Sequence, residues 1–492
     1  MPNNVIAGTV GRLLREEMAS FARHMIENDP DPVTRGIVLN TGAVRTSAQL
    51  GRPPGGTLAG TTEFQAIHPV EFGRSGAIKY APIGSAMTAS NPPRLALSPT
   101  YPTAIGTPQR LSEWLLIPLK WIMGNLTIDH RQWLALTKGT AVEDFLANWL
   151  RDPIQLVHQQ LTTDFFGNGT GQLGTIYSQS SSWSSATTEK TMVVTDTVRP
   201  FWRGQRVEIY DATDSSVEGQ IFMITKVFSF TGSTGANTQK IGIVPLTSAS
   251  FDAESGVDTI HIEGALVGAK TAATKYGVQG LGNFILNPGD ATSKDIDLHG
   301  LNVFTYSGTV WNYPELLSYV DVPTGTSRWP TPRIFQIAMD SISDRGFEAP
   351  DRWILPRSVR SAIYEVEGLF KTYNTEFGNP RPDSMQIKQN GTLGITSERG
   401  QAEVVLSAFC PAGTAYGIRL DGLVRYSPEG VESISFLGQS PLVGGNMFMT
   451  TVSSSDYTTV YQAPFNYFIE NGCTKPQCMA QVGNLKSLPN VG

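Results

Sequence analysis

Residues able to do chemistry are scattered through this chain rather than grouped. Six histidines, His24, His68, His130, His158, His261 and His299, show neither an H-E-x-x-H pattern nor any paired spacing that would bring two imidazoles to one metal ion. His158 falls in a helical stretch, where a lone histidine reads as a surface or satisfied core residue. Cys473 and Cys478 lie close in sequence but lack the second cysteine pair of a structural zinc site. With Cys410 they make three, which is no disulfide framework and fits synthesis in a reducing compartment. A G-x-S-x-G nucleophile elbow is absent. The phosphate-loop-like run from Gly264 to Thr271 fails because Ala269 separates Gly268 from Lys270. The sequence predicts no catalytic centre, no metal and no cofactor.

Gly169-x-Gly171-x-x-Gly174 matches the dinucleotide fingerprint letter by letter. That fingerprint works when it follows a strand and opens a helix, so that pyrophosphate meets the helix N-terminus. Here the glycines follow a helical pattern and stand at the negative end of its dipole. They predict a helix stop and turn, not a nucleotide site. Asn125-Leu126-Thr127, Asn168-Gly169-Thr170 and Asn390-Gly391-Thr392 match glycosylation sequons. The N-terminus, however, carries Arg12, Arg15, Glu16 and Glu17 and lacks the apolar core of a signal peptide. A carboxylate pair of the glycosidase kind leaves no signature in sequence.

The elements around these residues are more telling. Val10, Leu13, Leu14, Met18, Phe21 and Met25 recur at helical steps until Asn28-Asp29-Pro30, and Gly51 to Gly56 reads as a linker. Pro82, Pro92, Pro93, Pro99, Pro102 and Pro108 then stiffen a long excursion that cannot sit centrally in a sheet. Residues 72–112 hold Arg74, Lys79, Arg94 and Arg110 and no Asp or Glu. Such a stretch is an arm that lies on something else or a flexible surface loop, and composition does not separate the two.

Two strand-like runs follow, Leu115–Leu119 and Asn125–Ile128. Thr140-Ala141-Val142-Glu143 forms a capping box. Val142, Phe145, Leu146, Trp149, Leu150, Leu156, Leu161 and Phe165 repeat at helical spacing, which predicts a helix over 141–166, about 39 Å long if unbroken. Pro153 should kink it. Beyond a Ser/Thr-rich break at 176–190, five short runs predict a small barrel or sandwich: Thr191–Thr195, Arg206–Tyr210, Gln220–Phe228, Lys240–Leu246 and Asp258–Glu263. Ile334, Phe335, Ala338 and Ile342 share one helical face ending at Gly346. The buried strand Trp353-Ile354-Leu355 follows, then a helix from Pro356 to Tyr364. Residues 402–409, 415–426 and 447–469 are β-like.

Composition bounds the class. The 492 residues carry a net charge of −6, and only 16% are charged, against about 25% in ordinary globular proteins. A hydrophobic share of 40% builds a sizeable core and excludes a disordered chain. The acidic balance argues against non-specific nucleic-acid binding. The apolar run Trp114–Gly124, broken by Pro118 and Lys120, is too short to span a bilayer. A charge-poor surface suits a subunit covered by neighbours, or a β-rich protein with long polar loops.

The order of these features resembles the major capsid proteins of tailed bacteriophages, the Hong Kong 97-type capsid fold. The resemblance rests on Val70-Glu71-Phe72-Gly73-Arg74-Ser75-Gly76 and Ile117–Gly124 as strands of a long basic loop. It rests further on a helix closing in Phe165-Phe166-Gly167-Asn168-Gly169-Thr170-Gly171-Gln172-Leu173-Gly174, on the helix–Trp-Ile-Leu-Pro-Arg–helix order of Arg333–Tyr364, and on Asn466–Gln481. It covers roughly residues 60–180 and 330–490. It implies an α+β chain with an N-terminal arm at 1–62 and an E-loop hairpin with flanking P-domain strands at 63–125. The spine helix of the P-domain falls at 126–182, an inserted β-rich module at 183–280, an A-domain at 281–440 and return strands to the P-domain at 441–492. Pro153 in the spine helix departs from the family pattern, and the inserted module is extra to the minimal fold.

The function so implied is structural and not enzymatic. Copies would form hexamers and pentamers of an icosahedral head enclosing double-stranded DNA without sequence-specific binding. The virion capsid is the implied location, with synthesis in the host cytoplasm and no membrane contact. A portal and a separate scaffolding protein are the expected partners, and decoration proteins stay open. Glu143, Asp144, Asp152 and Asp164 outweigh Arg151 in the span 141–166. The basic loop, through Arg74, Lys79, Arg94 and Arg110, is therefore expected to lie across Glu143, Asp144 and Asp152 of a neighbouring copy. Lys79 is the only loop lysine able to cross-link, although no acceptor pattern is evident and a solvated or salt-bridging role is preferred. A tail or receptor-binding structural protein is the alternative, and a polysaccharide hydrolase stands third.

Overall fold

The computed structural model describes residues 31, 33, 37, 45–46, 65–74, 110–118, 120–129, 155–179, 189–195, 201–211, 216–228, 239–246, 258–263, 277–292, 295–323, 327–363, 365, 386–387, 393–397, 400–426, 435–436, 449–452 and 459–486. The expected N-terminal helix, the loop tip at 75–109 and the first half of the spine helix lie outside the described residues.

Strand β2 (Gln65–Arg74) pairs antiparallel with β3 (Arg110–Pro118), from Gln65 opposite Pro118 to Arg74 opposite Arg110. The two strands form a sheet of their own, so Pro69, which has no N–H to give, sits where a free edge tolerates it. Val70, Leu115 and Ile117 are fully buried, and the alternation at 115 and 117 pins the register at the root of the hairpin. The chain then enters β4 (Lys120–Asp129), paired along its whole length with β23 (Thr459–Cys473). Strands β20 (Leu423–Tyr426), β21 (Ser435–Phe436) and β22 (Met449–Val452) also pair with β23, and β1 (Arg45–Thr46) adds to β20 in parallel.

Helix α1 occupies 155–166. Val157, Leu161, Phe165 and Phe166 face the core, whereas Leu156, expected on the same face, is 46% exposed. The buried Thr162 and Thr163 hydroxyls return to the carbonyls of His158 and Gln159, each at 2.8 Å, which satisfies them without leaving the helix. Pro153 and the capping box at 140–143 fall outside the described residues. Gly169 and Gly171, at φ of 81° and 68°, then turn the chain into β5 (Gln172–Gln179). Helix precedes glycine run and strand follows it, the reverse of the dinucleotide order.

Strands β5, β6 (Lys190–Thr195), β7 (Arg206–Asp211), β8 (Ser216–Val227), β9 (Gln239–Pro245) and β10 (Thr259–Ile262) close into a barrel in the order β10-β5-β6-β9-β8-β7. Met192, Val194, Val207, Ile209, Phe222, Ile224, Ile241, Ile243 and Ile260 point inward and form a core separate from the others. Closure leaves no edge strand to protect. The five expected runs all become strands. The sixth, β5, comes from 172–179, so the barrel begins upstream of the expected module at 183–280. Its Gly174, Thr175, Ser178 and Gln179 give it a turn-like and polar sequence that hides its strand character.

After the barrel, a single helical turn Leu281–Phe284 leads to a three-stranded meander of β11 (Ile296–Leu298), β12 (Leu301–Thr305) and β13 (Val310–Trp311). A seven-stranded mixed sheet completes the chain. Its order is β14 (Tyr319–Asp321), β24 (Ala480–Val482), β19 (Ala415–Ile418), β15 (Arg352–Leu355), β18 (Gly400–Leu406), β17 (Leu393–Ser397) and β16 (Gln386–Ile387). Helix α2 (Pro332–Asp344) packs Phe335, Ala338, Met339 and Ile342 on this sheet and ends before Gly346, at φ 85°. The Phe335 ring meets Trp353 edge-on at 4.9 Å. Helix α3 (357–363) buries Val359, Ala362 and Ile363.

The expected split at 440 differs from these sheets in two places. β20, placed in the 281–440 segment, pairs with β23 in the sheet of β4, and β24, placed in the C-terminal segment, sits inside the seven-stranded sheet. The last stretch of chain therefore serves both sheets. The N-terminal segment is tied in as well: the Asp31 carboxylate accepts the Val33 N–H, the Ser407 hydroxyl and the Ala408 N–H at 2.8–2.9 Å. Among the described residues, no helix is long and apolar enough to cross a membrane.

Candidate functional site

The hairpin of β2 and β3 is rooted firmly and ends in cations. Its root packs against β23 and β12. Gly472 is needed there: a Cβ at that position would lie 2.8 Å from Ile117 Cδ1 and 2.7 Å from Tyr426 Cε2. At the far end the register sets Arg74 opposite Arg110. Of the expected contact residues, the structure brings these two together. Lys79, Arg94, Glu143, Asp144 and Asp152 lie outside the described residues.

Asp164 belongs to the acidic run of the expected helix, but the structure buries it away from the exposed face. It is buried, its carboxylate accepts the Gln160 amide at 2.9 Å, and burial raises its pKa to about 7. Beneath the same helix end lies Glu470, fully buried on β23. Its Oε1 accepts the backbone N–H of Gln279 at 2.7 Å and of Asn471 at 3.0 Å. Burial raises the Glu470 pKa to about 8, although the Gln279 N–H, the Lys120 charge and the Asn471 N–H all favour its ionised form; the Asp164 charge adds only a little to the rise. Sequence reasoning missed Glu470. A carboxylate among Tyr467, Phe468, Ile469 and Cys473 was a signal, but its partners come from distant segments.

The remaining reactive types are structural. His261 is buried in the barrel, its Nδ1 3.1 Å from the Thr170 carbonyl and its Nε2 2.7 Å from the Thr259 hydroxyl, and burial lowers its pKa. His299, at φ 48°, accepts the Cys473 N–H at Nε2, 3.3 Å away. All three cysteines are free and buried, and burial pushes each thiol up, away from the reactive thiolate. No group of His, Cys, Asp and Glu among the described residues could hold a metal. A concavity of 410 Å³ on the seven-stranded sheet is lined by Ser343, Phe347, Asp351, Gln401 and Arg419. Beside it, Arg419 and Lys475 each bridge Glu348 and Asp421 at 2.6–3.4 Å. Arg419 and Lys475 thus each sit between the same two carboxylates.

No protein-family model matches the chain, and no curated protein matches it. Solved structures do. The capsid of cyanophage A-1(L) aligns over 86% of this chain and 88% of its own, at 9% identity and a TM-score of 0.40. The capsid of Ralstonia phage GP4 aligns over 91% and 89%, at 9% identity and 0.34. The SrpI encapsulin of Synechococcus elongatus PCC 7942 aligns over 77% and 78%, at 9% identity and 0.34.

Proposed function

We propose that this chain is the major capsid protein of a tailed bacteriophage, a shell subunit whose copies assemble into hexamers and pentamers around double-stranded DNA. The observation that carries the reading is the hairpin of β2 and β3. It is a two-stranded ribbon, buried at its root, with no further strand on either edge among the described residues. Two-stranded ribbons are marginal alone, and a pair of arginines at the far end calls for an acidic surface. A neighbouring copy supplies both.

In this reading the hairpin is the E-loop, α1 is the end of the spine helix, the barrel is an inserted module and the seven-stranded sheet is the A-domain. Arg74, Lys79, Arg94 and Arg110 of one copy lie across Glu143, Asp144 and Asp152 of the next, where charge steers docking and register more than it supplies affinity. The portal and a separate scaffolding protein act as partners, and the subunit resides in the virion capsid. A wall with a net charge of −6 encloses DNA without binding it tightly. Size-exclusion chromatography and electron microscopy of the purified chain test the reading: capsomers or shells support it, and a compact trimer favours a tail or receptor-binding protein instead.

A further inference from the structure

The barrel joins the rest of the chain through a neck of two segments, 167–171 leaving α1 and 277–282 returning, bridged by Asn168 and Gln279. At the same end of the barrel a recess of about 430 Å³ opens between the turn before β7 and the end of β8. Phe201, Trp202, Val227 and Phe228 give it apolar walls, and Arg203 and Lys226 add exposed cations. Lys240 Nζ lies 5.4 Å from the centre of the Phe228 ring. Against these three cations stands Glu189, paired with Lys226 at 2.7 Å. Gln205 adjoins both lining segments, its N–H on the Trp202 carbonyl and its own carbonyl on the Ile224 N–H. Its side chain is buried, and neither amide atom has a hydrogen-bond partner among the described residues.

The meander displays the opposite chemistry. Residues 306–312, which carry the chain from β12 through β13, are exposed without a break. Tyr306, Val310 and Trp311 are 48%, 50% and 39% exposed, an apolar cluster on one hairpin tip. The tip is preformed. The Thr309 N–H closes the turn on the Tyr306 carbonyl at 3.2 Å, and the Trp311 ring rests on the buried Phe304 with centroids 4.4 Å apart. Asp295, whose carboxylate accepts the Tyr306 N–H, is exposed, as are Asp297 and Glu315. With Asp290 they face Lys294 alone in the stretch 285–315. A rigid aromatic knob in an acidic setting fits a partner that is apolar at its centre and cationic around it.

We propose that the knob of one copy seats in the barrel recess of a second copy, with Val310 and Trp311 against Val227 and Phe228 and the acids Asp295 and Asp297 toward Arg203 and Lys226. Both surfaces are exposed within the single chain, so one copy does not satisfy its own. A buried indole N–H needs an acceptor, and Gln205 holds an unused one beside the recess. Knob and recess are different patches of the same chain. Their contact is therefore head-to-tail, the kind that generates a ring where the rotation closes. The inference rests on the reading of the chain as a shell subunit and adds a second contact to that of the basic arm.

The test places Val310→Cys and Val227→Cys in one full-length chain, at two exposed positions, the three natural cysteines being buried. The variant is left to assemble, oxidised with copper phenanthroline and run on a denaturing, non-reducing gel. A ladder of dimers and higher species is expected from the double variant and from neither single one. Shells that form without a ladder overturn this contact and leave the shell reading standing. A chain that stays monomeric and gives no ladder overturns both. A ladder already present in a single variant means that like patches meet, which also overturns the pairing. As a second arm, Arg203→Glu should lower the yield of assembled particles about tenfold, and Asp297→Lys in the same chain should recover most of it. No loss, or a loss that Asp297→Lys leaves unchanged, counts against the contact.

Discussion

Arg74 and Arg110 face each other across the last paired position of β2 and β3. Like charges directly opposite in an antiparallel pair work against pairing, while Glu71 and Glu113 stand further in, opposite Ser112 and Val70. In this register the two arginines sit at the open end of the ribbon, away from its buried root at Val70, Leu115 and Ile117.

Reversing Arg74 and Lys79 to Glu is expected to reduce the yield of closed particles by at least about tenfold, counted by electron microscopy against the unaltered chain. Adding Glu143→Lys and Asp144→Lys should recover part of that yield. Particles forming as well with the reversed arm as without it would remove the proposed contact.

Gly280 has no room for a methyl group. A Cβ there would lie 2.2 Å from the Asp164 carbonyl oxygen and 2.3 Å from that of Phe165, both backbone atoms. Gly280→Ala should cost about 2 kcal/mol or more in chemical denaturation, because neither neighbour can move aside without unwinding the end of α1. An unchanged denaturation midpoint would show that the neck is looser than its geometry.

Phe335 is fully buried against Trp353 beneath the seven-stranded sheet. Phe335→Ala is expected to destabilise the chain by about 3–5 kcal/mol, since it removes the ring from water-excluded packing and leaves a cavity. Thermal unfolding followed by near-ultraviolet circular dichroism should show it. A loss below about 1 kcal/mol would mean that the site collapses around the smaller side chain.

Stability should fall as pH rises across the neutral range. Asp164 and Glu470 hold protons in the folded chain up to about 7 and about 8, whereas their ordinary values are 3.8 and 4.5. Between those limits the folded state binds more protons than the unfolded one, so unfolding releases protons and is favoured by higher pH. The stabilisation from these two groups is complete below their ordinary values and lost as pH passes their folded ones. Urea midpoints measured from pH 5 to pH 9 should decline, and less steeply in Glu470→Gln. A midpoint that climbs over this range contradicts the assignment.

The barrel was largely legible because Met192 and Val194, Val207 and Ile209, and Ile241 and Ile243 alternate cleanly with outward residues. β5 was not, because Gly174, Ser178 and Gln179 mask its alternation and its place is set by pairing with β10 and β6. Three-residue β24 is too short to show any period, and only its neighbours β14 and β19 fix it in the sheet. Charge at the hairpin end could be read directly, since Arg74 and Arg110 flank a stretch free of acids. The burial of Asp164 could not: it follows from Gly280 meeting the end of α1 from more than a hundred residues away. Spacing along one helix carries no record of such a contact.

The claim that the chain completes itself only against identical copies is tested most directly by sedimentation and electron microscopy of the purified full-length protein, with exchange of residues 75–109 followed before and after assembly. The account predicts capsomers or closed shells, with the loop gaining protection only when copies associate. A stable monomer at assembly concentration, its loop already protected within the single chain, would contradict it.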